Sequence, residues 1–246
     1  QEVAKEEGIT LFSSPFDFSS IEFLEKLNMP AYKIASPEMI DLPFVRRVAQ
    51  TGKPIIMSTG GATLDQIKEA VAVIVEEGVE DFAILKCTSE YPAPPSKINL
   101  KTIQDLKDIF KCIVGLSDHT LGSAIPIASV GLGASIIEKH FIVSRDDTTA
   151  DSFFSATPEE LKAIVDGAEI VREAVGSISY PTENKVQRSL IAIKEIKQGE
   201  ELVNGENFKS LRPGGGIEPK HLDDVNKKQA TKDIKVGTLL SWDLVG

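Results

Sequence analysis

The chain has 246 residues, of which 41% are hydrophobic and 26% charged, and its formal net charge is −10. This length allows one large domain, or a medium domain with a small second one, while the acidic balance argues against nucleic-acid and anionic-membrane partners. No apolar run approaches the roughly 20 residues that span a bilayer and no signal peptide is visible, so we expect a cytoplasmic protein.

Six short apolar segments alternate with helix-like segments between Gly8 and Gly176. Each is continuously apolar, which is typical of strands buried on both faces, so the alternation predicts a parallel α/β sheet. Cys87 and Cys112 lie within these segments or at their ends and are predicted to be buried thiols rather than parts of a disulfide framework. The segments read ITLFSS, AYKIAS, PIIMSTG, FAILKCTS, CIVGLSDH and ASIIEKHF.

Capping boxes mark the predicted helix starts between these segments. Pro158 takes the first position of the last helix, where its missing N–H costs nothing. The three boxes are Ser19 with Glu22, Thr63 with Gln66, and Thr157 with Glu160.

Polar residues at the ends of the apolar segments distinguish a closed barrel from an open doubly wound sheet. A (β/α)8 TIM barrel builds its site at the carboxyl ends of successive strands, whereas a dinucleotide-binding sheet needs a G-x-G-x-x-G turn that is absent here. We therefore predict a barrel. The residues at these ends are Ser14, Ser36, Ser58, Ser89, Ser117 and His140.

Only six of the eight expected units are visible. At about 250 residues for eight units, about 60 residues are missing. The chain also opens on Gln1, inside a predicted helix. We therefore expect that the first two βα units are absent and that the sequence is incomplete at its N terminus.

The sequence changes character after Gly176. The polar segment ISYPTENKVQ predicts a linker over 178–187, between a partial barrel at 1–177 and a small domain of short strands and turns at 188–246. About sixty residues barely bury a core unaided, so this domain is expected to dock onto the barrel or a partner subunit.

Two of the three histidines follow neighbouring predicted strands. Neighbouring strands lie about 4.8 Å apart, so His119 and His140 are expected side by side at one sheet edge, where they could share one divalent ion. A lone histidine is more often a hydrogen-bonded polar residue than a ligand, but two at equivalent strand ends favour a metal site. With water and substrate oxygens completing the coordination, Mn²⁺ or Mg²⁺ is expected. Asp118 and Glu138 could orient a ring, and His221 is predicted to be a surface residue.

The serines at the strand ends predict an anion site. With Lys33, Thr59, Lys86 and Thr88 they could hold a small phosphorylated acid, although any one of them could be a simple turn residue. Glu38 is either a helix-start carboxylate or a general acid or base. A Schiff base on Lys33 or Lys86, as in class I aldolases, is the main alternative.

The ordered motifs resemble the sialic acid synthases, a family of enzymes that condense phosphoenolpyruvate with amino sugars. The segments FSSPFD, LKCTS and DSFFS are most similar to its pseudaminic acid synthase branch, whereas the sialic and legionaminic branches usually carry a P-G-P-D-H type sequence in place of TTADSFF. The motifs that carry the resemblance are FSSPFD, AYKIASPE, KPIIMSTGGATLDQI, LKCTSEYPAP, NLKTI, VGLSDHTLG and GASIIEKHF.

The resemblance implies a barrel followed by an antifreeze-like (SAF-type) domain, in a domain-swapped homodimer. Glu38, with the metal ligands His119 and His140, would be catalytic, although Pro37 replaces the usual glycine before this glutamate. Asp151 would contact the sugar, and Arg212 would reach across from the partner. The phosphoenolpyruvate contacts would be Ser14, Lys33, Ser36, Ser58, Ser89 and Ser117.

The implied reaction joins phosphoenolpyruvate to an N-acetylated 2,4-diacetamido hexose and gives pseudaminic acid and phosphate. N-acetylneuraminate or legionaminic acid synthesis is the alternative within the family. A class I aldolase and a non-catalytic sugar-binding protein are the alternatives outside it.

Overall fold

The chain forms two compact units, Gln1–Gly176 and Ser177–Gly246. The computed structural model describes residues 1–146, 148–182 and 187–246, so residues 183–186 of the predicted linker lie outside the described part. Across the described ranges, no helix combines the length and the apolar character that a membrane crossing requires.

The first unit is built on five parallel strands that are neighbours in chain order. Nearly all residues of β3 and β4 are buried, as the continuous apolar pattern predicts. Because the strands are parallel and sequential, their carboxyl ends all lie at one edge of the sheet. The strands are β1 (Tyr32–Ile34), β2 (Ile55–Ser58), β3 (Phe82–Cys87), β4 (Ile113–Asp118) and β5 (Ile137–Lys139).

The first predicted strand, ITLFSS, forms only a single parallel bridge, between Ser13 and Tyr32. One hydrogen bond, from Lys33 N to Ser13 O at 3.1 Å, supports it. Leu11 and Phe12 remain 45% and 38% exposed, so little apolar burial holds this segment in an extended ladder. The prediction of a full strand here was wrong. The described strands form an open, half-barrel sheet rather than a closed cylinder.

The described residues of the first unit form seven α-helices, of which two precede the first strand and the other five each follow one strand. The predicted capping boxes at Thr63 and Thr157 are confirmed. The box at Ser19 was wrong, because the Asp17 carboxylate accepts the Ser20 N–H at 2.6 Å and caps the helix two residues earlier. The helices are α1 (Glu2–Glu6), α2 (Phe18–Lys26), α3 (Leu42–Ala49), α4 (Leu64–Glu76), α5 (Thr102–Phe110), α6 (Ala124–Gly131) and α7 (Pro158–Val175).

The two faces of the sheet have different roles. Ile34, Met57, Ile84 and Leu116 belong to the buried core shared with the helices. Successive side chains of a strand point to opposite faces, so Lys33, Ser58, Cys87 and Ser117 lie on the other face, away from that core. The same alternation that builds the hydrophobic core therefore places polar side chains together near the carboxyl ends.

The second unit is a small domain of short strands, as predicted. Strands β6 (Ser189–Ala192) and β7 (Phe208–Leu211) pair antiparallel, and α8 (Leu222–Val225) follows. Isolated bridges join the remaining segments, including Ile191 to Leu239. This unit has its own buried apolar cluster, which includes Leu190, Leu202, Phe208, Val225 and Leu240.

Candidate active site

The two predicted metal-binding histidines lie side by side. Asp118 on β4 pairs in register with Lys139 on β5, so the residues that follow them, His119 and His140, leave neighbouring strands together. Their ring centroids are 5.3 Å apart, with 57° between the ring planes. Two imidazoles at this separation are close enough to contribute to one site.

The hydrogen bonding of His119 leaves one ring nitrogen free for a ligand. Its Nδ1 lies 2.9 Å from the carbonyl oxygen of Thr88. A carbonyl only accepts hydrogen bonds, so Nδ1 carries the proton and the lone pair is on Nε2. Burial lowers the pKa of His119, but the neighbouring Cys87 thiol and the Thr88 carbonyl outweigh it and raise the pKa overall.

The surroundings of His140 favour its neutral form, which is the form that binds metals. Burial, and then the neighbouring His119, lower its pKa. Its Nδ1 lies 3.6 Å from Asp151 Oδ2, which places the predicted sugar-binding carboxylate beside the imidazole pair. The described residues contain no cluster of three or more potential metal ligands. Two imidazole nitrogens leave the other positions of an ion to water or substrate oxygens, which Mg²⁺ and Mn²⁺ accept.

The expectation that Asp118 or Glu138 orients a histidine ring is wrong. Asp118 precedes His119 in the chain, so the two side chains point to opposite faces of the sheet. Asp118 instead pairs with Lys139 at 2.6 Å. Glu138 accepts a hydrogen bond from Ser117 Oγ at 2.7 Å. The Thr88 carbonyl orients His119.

Three of the predicted anion-binding loops converge on Gly60. Its backbone N–H donates to Ser36 Oγ at 2.8 Å. A Cβ atom built on Gly60 would lie 2.1 Å from Ser89 Oγ and 2.9 Å from both Cys87 Sγ and Ser36 Oγ. Because Gly60 has no side chain, these hydroxyl and thiol groups pack directly against its backbone, and hydroxyl donors from neighbouring strand ends are gathered into one cradle of the kind that an anion site requires.

Lys33 supplies a positive charge beside these groups. It is 6% exposed, and its Nζ lies 3.5 Å from Glu138 Oε2. Burial lowers its pKa, which the attraction of Glu138 partly offsets. Lys86 is different: it lies next to Cys87 in β3, so it points to the opposite face, where it donates to Thr88 Oγ1. The prediction that Lys86 belongs to the anion site was wrong.

Two polar atoms at the site are buried without a hydrogen-bond partner among the described residues. They are Glu38 Oε2 and Ser58 Oγ. An unsatisfied buried polar atom costs about 1–3 kcal/mol. A cost of this kind is typical of positions where a ligand completes the hydrogen bonding.

Two further predicted residues lie away from these contacts. Ser14 follows the single bridge at Ser13 and is half-buried. Arg212 lies in the second unit, exposed and directly after β7. Its predicted role depends on a partner subunit and stays a prediction.

Comparison with known proteins agrees with this geometry. The NeuB family model matches residues 1–180, and the SAF domain model matches residues 187–246. The chain belongs to the NeuB family. The resemblance to sialic acid synthases and the antifreeze-like second domain are thereby confirmed.

Several relatives that the chain resembles are named as synthases. It is 43% identical over 245 residues to the pseudaminic acid synthase of Campylobacter jejuni serotype O:2, covering 97% of this chain and 71% of that protein. It is 39% identical over 246 residues to the N,N'-diacetyllegionaminic acid synthase of the same organism, covering 96% and 73%. The crystal structure of N-acetylneuraminic acid synthetase from Leptospira borgpetersenii has a TM-score of 0.71 at 32% identity, covering 74% of this chain and 64% of that one.

Several residues at this NeuB family site were not identified from the sequence. The Tyr91 ring lies 4.4 Å from His119, and the Phe154 ring lies 4.8 Å from His140. Cys87, interpreted only as a buried thiol, contacts His119 Nδ1 at 3.9 Å. Tyr91 could have been found from its place two residues after Ser89. Phe154 follows a long irregular segment, and no periodic signal places it.

Proposed function

We propose that this protein condenses phosphoenolpyruvate with an open-chain 2,4-diacetamido hexose to give pseudaminic acid and phosphate. The observation that carries the proposal is the pair His119 and His140, with ring centroids 5.3 Å apart, on the two strands next to a cradle of hydroxyl groups and Lys33. The pseudaminic acid branch is supported by the 43% identity to the Campylobacter enzyme, with legionaminic acid synthase close behind at 39%.

The imidazole pair would hold a divalent ion, Mn²⁺ or Mg²⁺. Such an ion supplies Lewis-acid polarisation of the sugar aldehyde. The free Nε2 of His119 and the neutral ring of His140 suit it. Asp151, 3.6 Å from His140 Nδ1, contacts the sugar.

The hydroxyl groups and Lys33 hold the phosphate and carboxylate of phosphoenolpyruvate. Preorganised donors of this kind stabilise the negative charge as C3 attacks the aldehyde and phosphate later leaves C2. Glu38 takes up the proton that is released when water adds at C2. The residues assigned to binding are Ser14, Lys33, Ser36, Ser58, Ser89 and Ser117.

The second domain completes the site in a homodimer. Arg212 of one subunit reaches the sugar bound to the other and excludes water from it. The free cysteines Cys87 and Cys112 are consistent with a cytoplasmic location, where thiols stay reduced.

A phosphate-release assay tests the proposal. With phosphoenolpyruvate and the altro-configured diacetamido sugar, we expect release that EDTA abolishes and Mn²⁺ restores. Turnover of N-acetylmannosamine alone would contradict the pseudaminic assignment. Activity that survives EDTA and is trapped by borohydride would identify an aldolase using Lys33, and sugar binding without phosphate release would identify a binding protein.

A further inference from the structure

A buried ion pair lies on the helix side of the sheet, directly behind the two histidines. Lys139 Nζ is 2.6 Å from Asp118 Oδ2, and the two side chains are 3% and 0% exposed. Most of the neighbouring positions on this face are apolar, including Leu116 and Ile84. Charged side chains are almost never this buried unless they are paired, and a buried pair by itself adds little stability.

The pair is connected to the loop that carries His119. Asp118 accepts from Thr120 N at 3.1 Å and from Thr120 Oγ1 at 3.1 Å. Lys139 also donates to the Thr120 carbonyl oxygen. Bonds from one ammonium group therefore join the residues on either side of His119 to the residue that precedes His140.

We infer that Asp118 and Lys139 are positioning residues that fix the separation of the His119 and His140 rings. Side chains alternate along a strand, so tying residues 118 and 139 together behind the sheet turns the following imidazoles toward each other in front of it. A continuous set of apolar side chains would fill the same space without specifying this register, whereas hydrogen bonds have a defined direction and length.

The inference deepens the proposed function, because the separation matters most for an ion held between the two rings. Outer partners of metal ligands typically change metal affinity by about 10- to 100-fold. We therefore expect the pair to control Mn²⁺ affinity more than it controls folding.

The decisive variant removes both charges and keeps the shapes. The double variant Asp118→Asn with Lys139→Met removes both members of the pair, so neither is left as an unpaired buried charge, and the nearby Lys86 keeps its hydrogen bond to Thr88 Oγ1; the protein should therefore fold. We expect Mn²⁺ binding, measured by calorimetry, to weaken by about 10-fold or more. Val48→Ala, a core truncation on α3, is the matched control, because it lowers the unfolding temperature without touching this cluster.

A second variant, and a measurement on the metal-free protein, test the inference independently of the double variant's metal binding. Thr120→Val removes only the hydroxyl that donates to Asp118, and we expect it to weaken Mn²⁺ binding several-fold. The imidazole ¹⁵N resonances of the metal-free double variant should shift, whereas those of Val48→Ala should not.

Failure of the positioning inference can be distinguished from failure of the proposed function. If the imidazole resonances are unchanged in both the double variant and Thr120→Val, or both bind Mn²⁺ like the unmodified protein, the positioning role is overturned. If instead the resonances shift but the unmodified protein binds no Mn²⁺, the metal site of the proposed function fails while the positioning inference stands.

Discussion

The backbone N–H of Gly60 donates a hydrogen bond to Ser36 Oγ across 2.8 Å, and so joins the loops that follow β1 and β2. Gly60→Ala should push the surrounding hydroxyl groups out of position, because the new Cβ would lie 2.1 Å from Ser89 Oγ. Overpacking of this kind costs about 1–3 kcal/mol. We expect the KM for phosphoenolpyruvate to rise by about 10-fold or more, measured by phosphate release at saturating sugar.

Gly61 provides the control for this substitution. It has a φ of +75°, and a Cβ there would meet nothing within 4 Å. Gly61→Ala should therefore lower stability through backbone strain but leave the KM for phosphoenolpyruvate nearly unchanged. Equal KM values in the two variants would show that Gly60 serves the turn and not the cradle.

Removal of one imidazole should remove the metal. His140→Ala leaves His119 as the single protein nitrogen, and we expect Mn²⁺ affinity, measured by calorimetry, to fall by about 100-fold or more together with activity. His221→Ala is the matched control, since that ring contacts Asp224 and Trp242 in the second unit. Unchanged Mn²⁺ binding in His140→Ala would place the ion elsewhere.

The capping box at the start of α4 should contribute measurably to stability. The Thr63 side chain accepts from Gln66 N at 3.3 Å, so Thr63→Ala should lower the free energy of unfolding by about 1 kcal/mol. Urea denaturation measures this change. Ser19→Ala leaves the Asp17 cap of α2 in place and should have less than half the effect. A larger loss of stability in Ser19→Ala than in Thr63→Ala would mean that Ser19, and not Asp17, caps α2.

The comparison of Thr63 with Ser19 shows what the sequence can predict. Capping patterns and continuous apolar segments are local signals, and they located five of the six predicted strands. At Ser19 the capping-box pattern was present, but the Asp17 carboxylate, two residues earlier, caps the helix instead. The segment before Ser14 failed for a different reason, because a strand forms only where a neighbour buries its side chains.

The site was predictable where strand alternation governs it and not where loops do. His119 and His140 follow paired strands, so the register brought them together. The orienting carbonyl of Thr88 and the ring of Phe154 come from irregular segments, whose positions depend on the tertiary fold. Lys86 shows where reasoning from motifs fails. Side chains alternate between the two faces of a strand, so a polar residue near a strand end faces the site only if its position points to the same face as the other site residues.

A mixing experiment tests whether Arg212 acts across a dimer. Arg212→Ala and His119→Ala should each be inactive alone. In a swapped heterodimer, one barrel is intact and receives an intact Arg212, so one of its two sites is complete. Statistical exchange makes about half of the dimers heterodimers, so about a quarter of the activity of the unmodified protein should return. Activity is measured by phosphate release after the subunits re-equilibrate. No recovery, with exchange verified by mass-tagged subunits, would show that Arg212 serves its own barrel or none.

Replacing Ser58, whose hydroxyl has no partner among the described residues, should weaken phosphate binding without lowering stability. Its Oγ is buried without a hydrogen-bond partner among the described residues, so Ser58→Ala removes an unsatisfied group. The free energy of unfolding should stay constant or rise by up to about 1 kcal/mol, while inorganic phosphate binds about 10-fold more weakly.

Ser117→Ala is the contrasting variant. The Ser117 hydroxyl donates to Glu138 Oε1 at 2.7 Å, so its removal should destabilise the protein by about 1 kcal/mol. Urea denaturation and phosphate titration by calorimetry measure both quantities on both variants. If Ser58→Ala is destabilised as much as Ser117→Ala and binds phosphate normally, Ser58 is a structural residue. If Ser58→Ala is stable but binds phosphate weakly, the buried hydroxyl destabilises the protein when no anion is bound. The bound anion would then supply its missing hydrogen-bond partner.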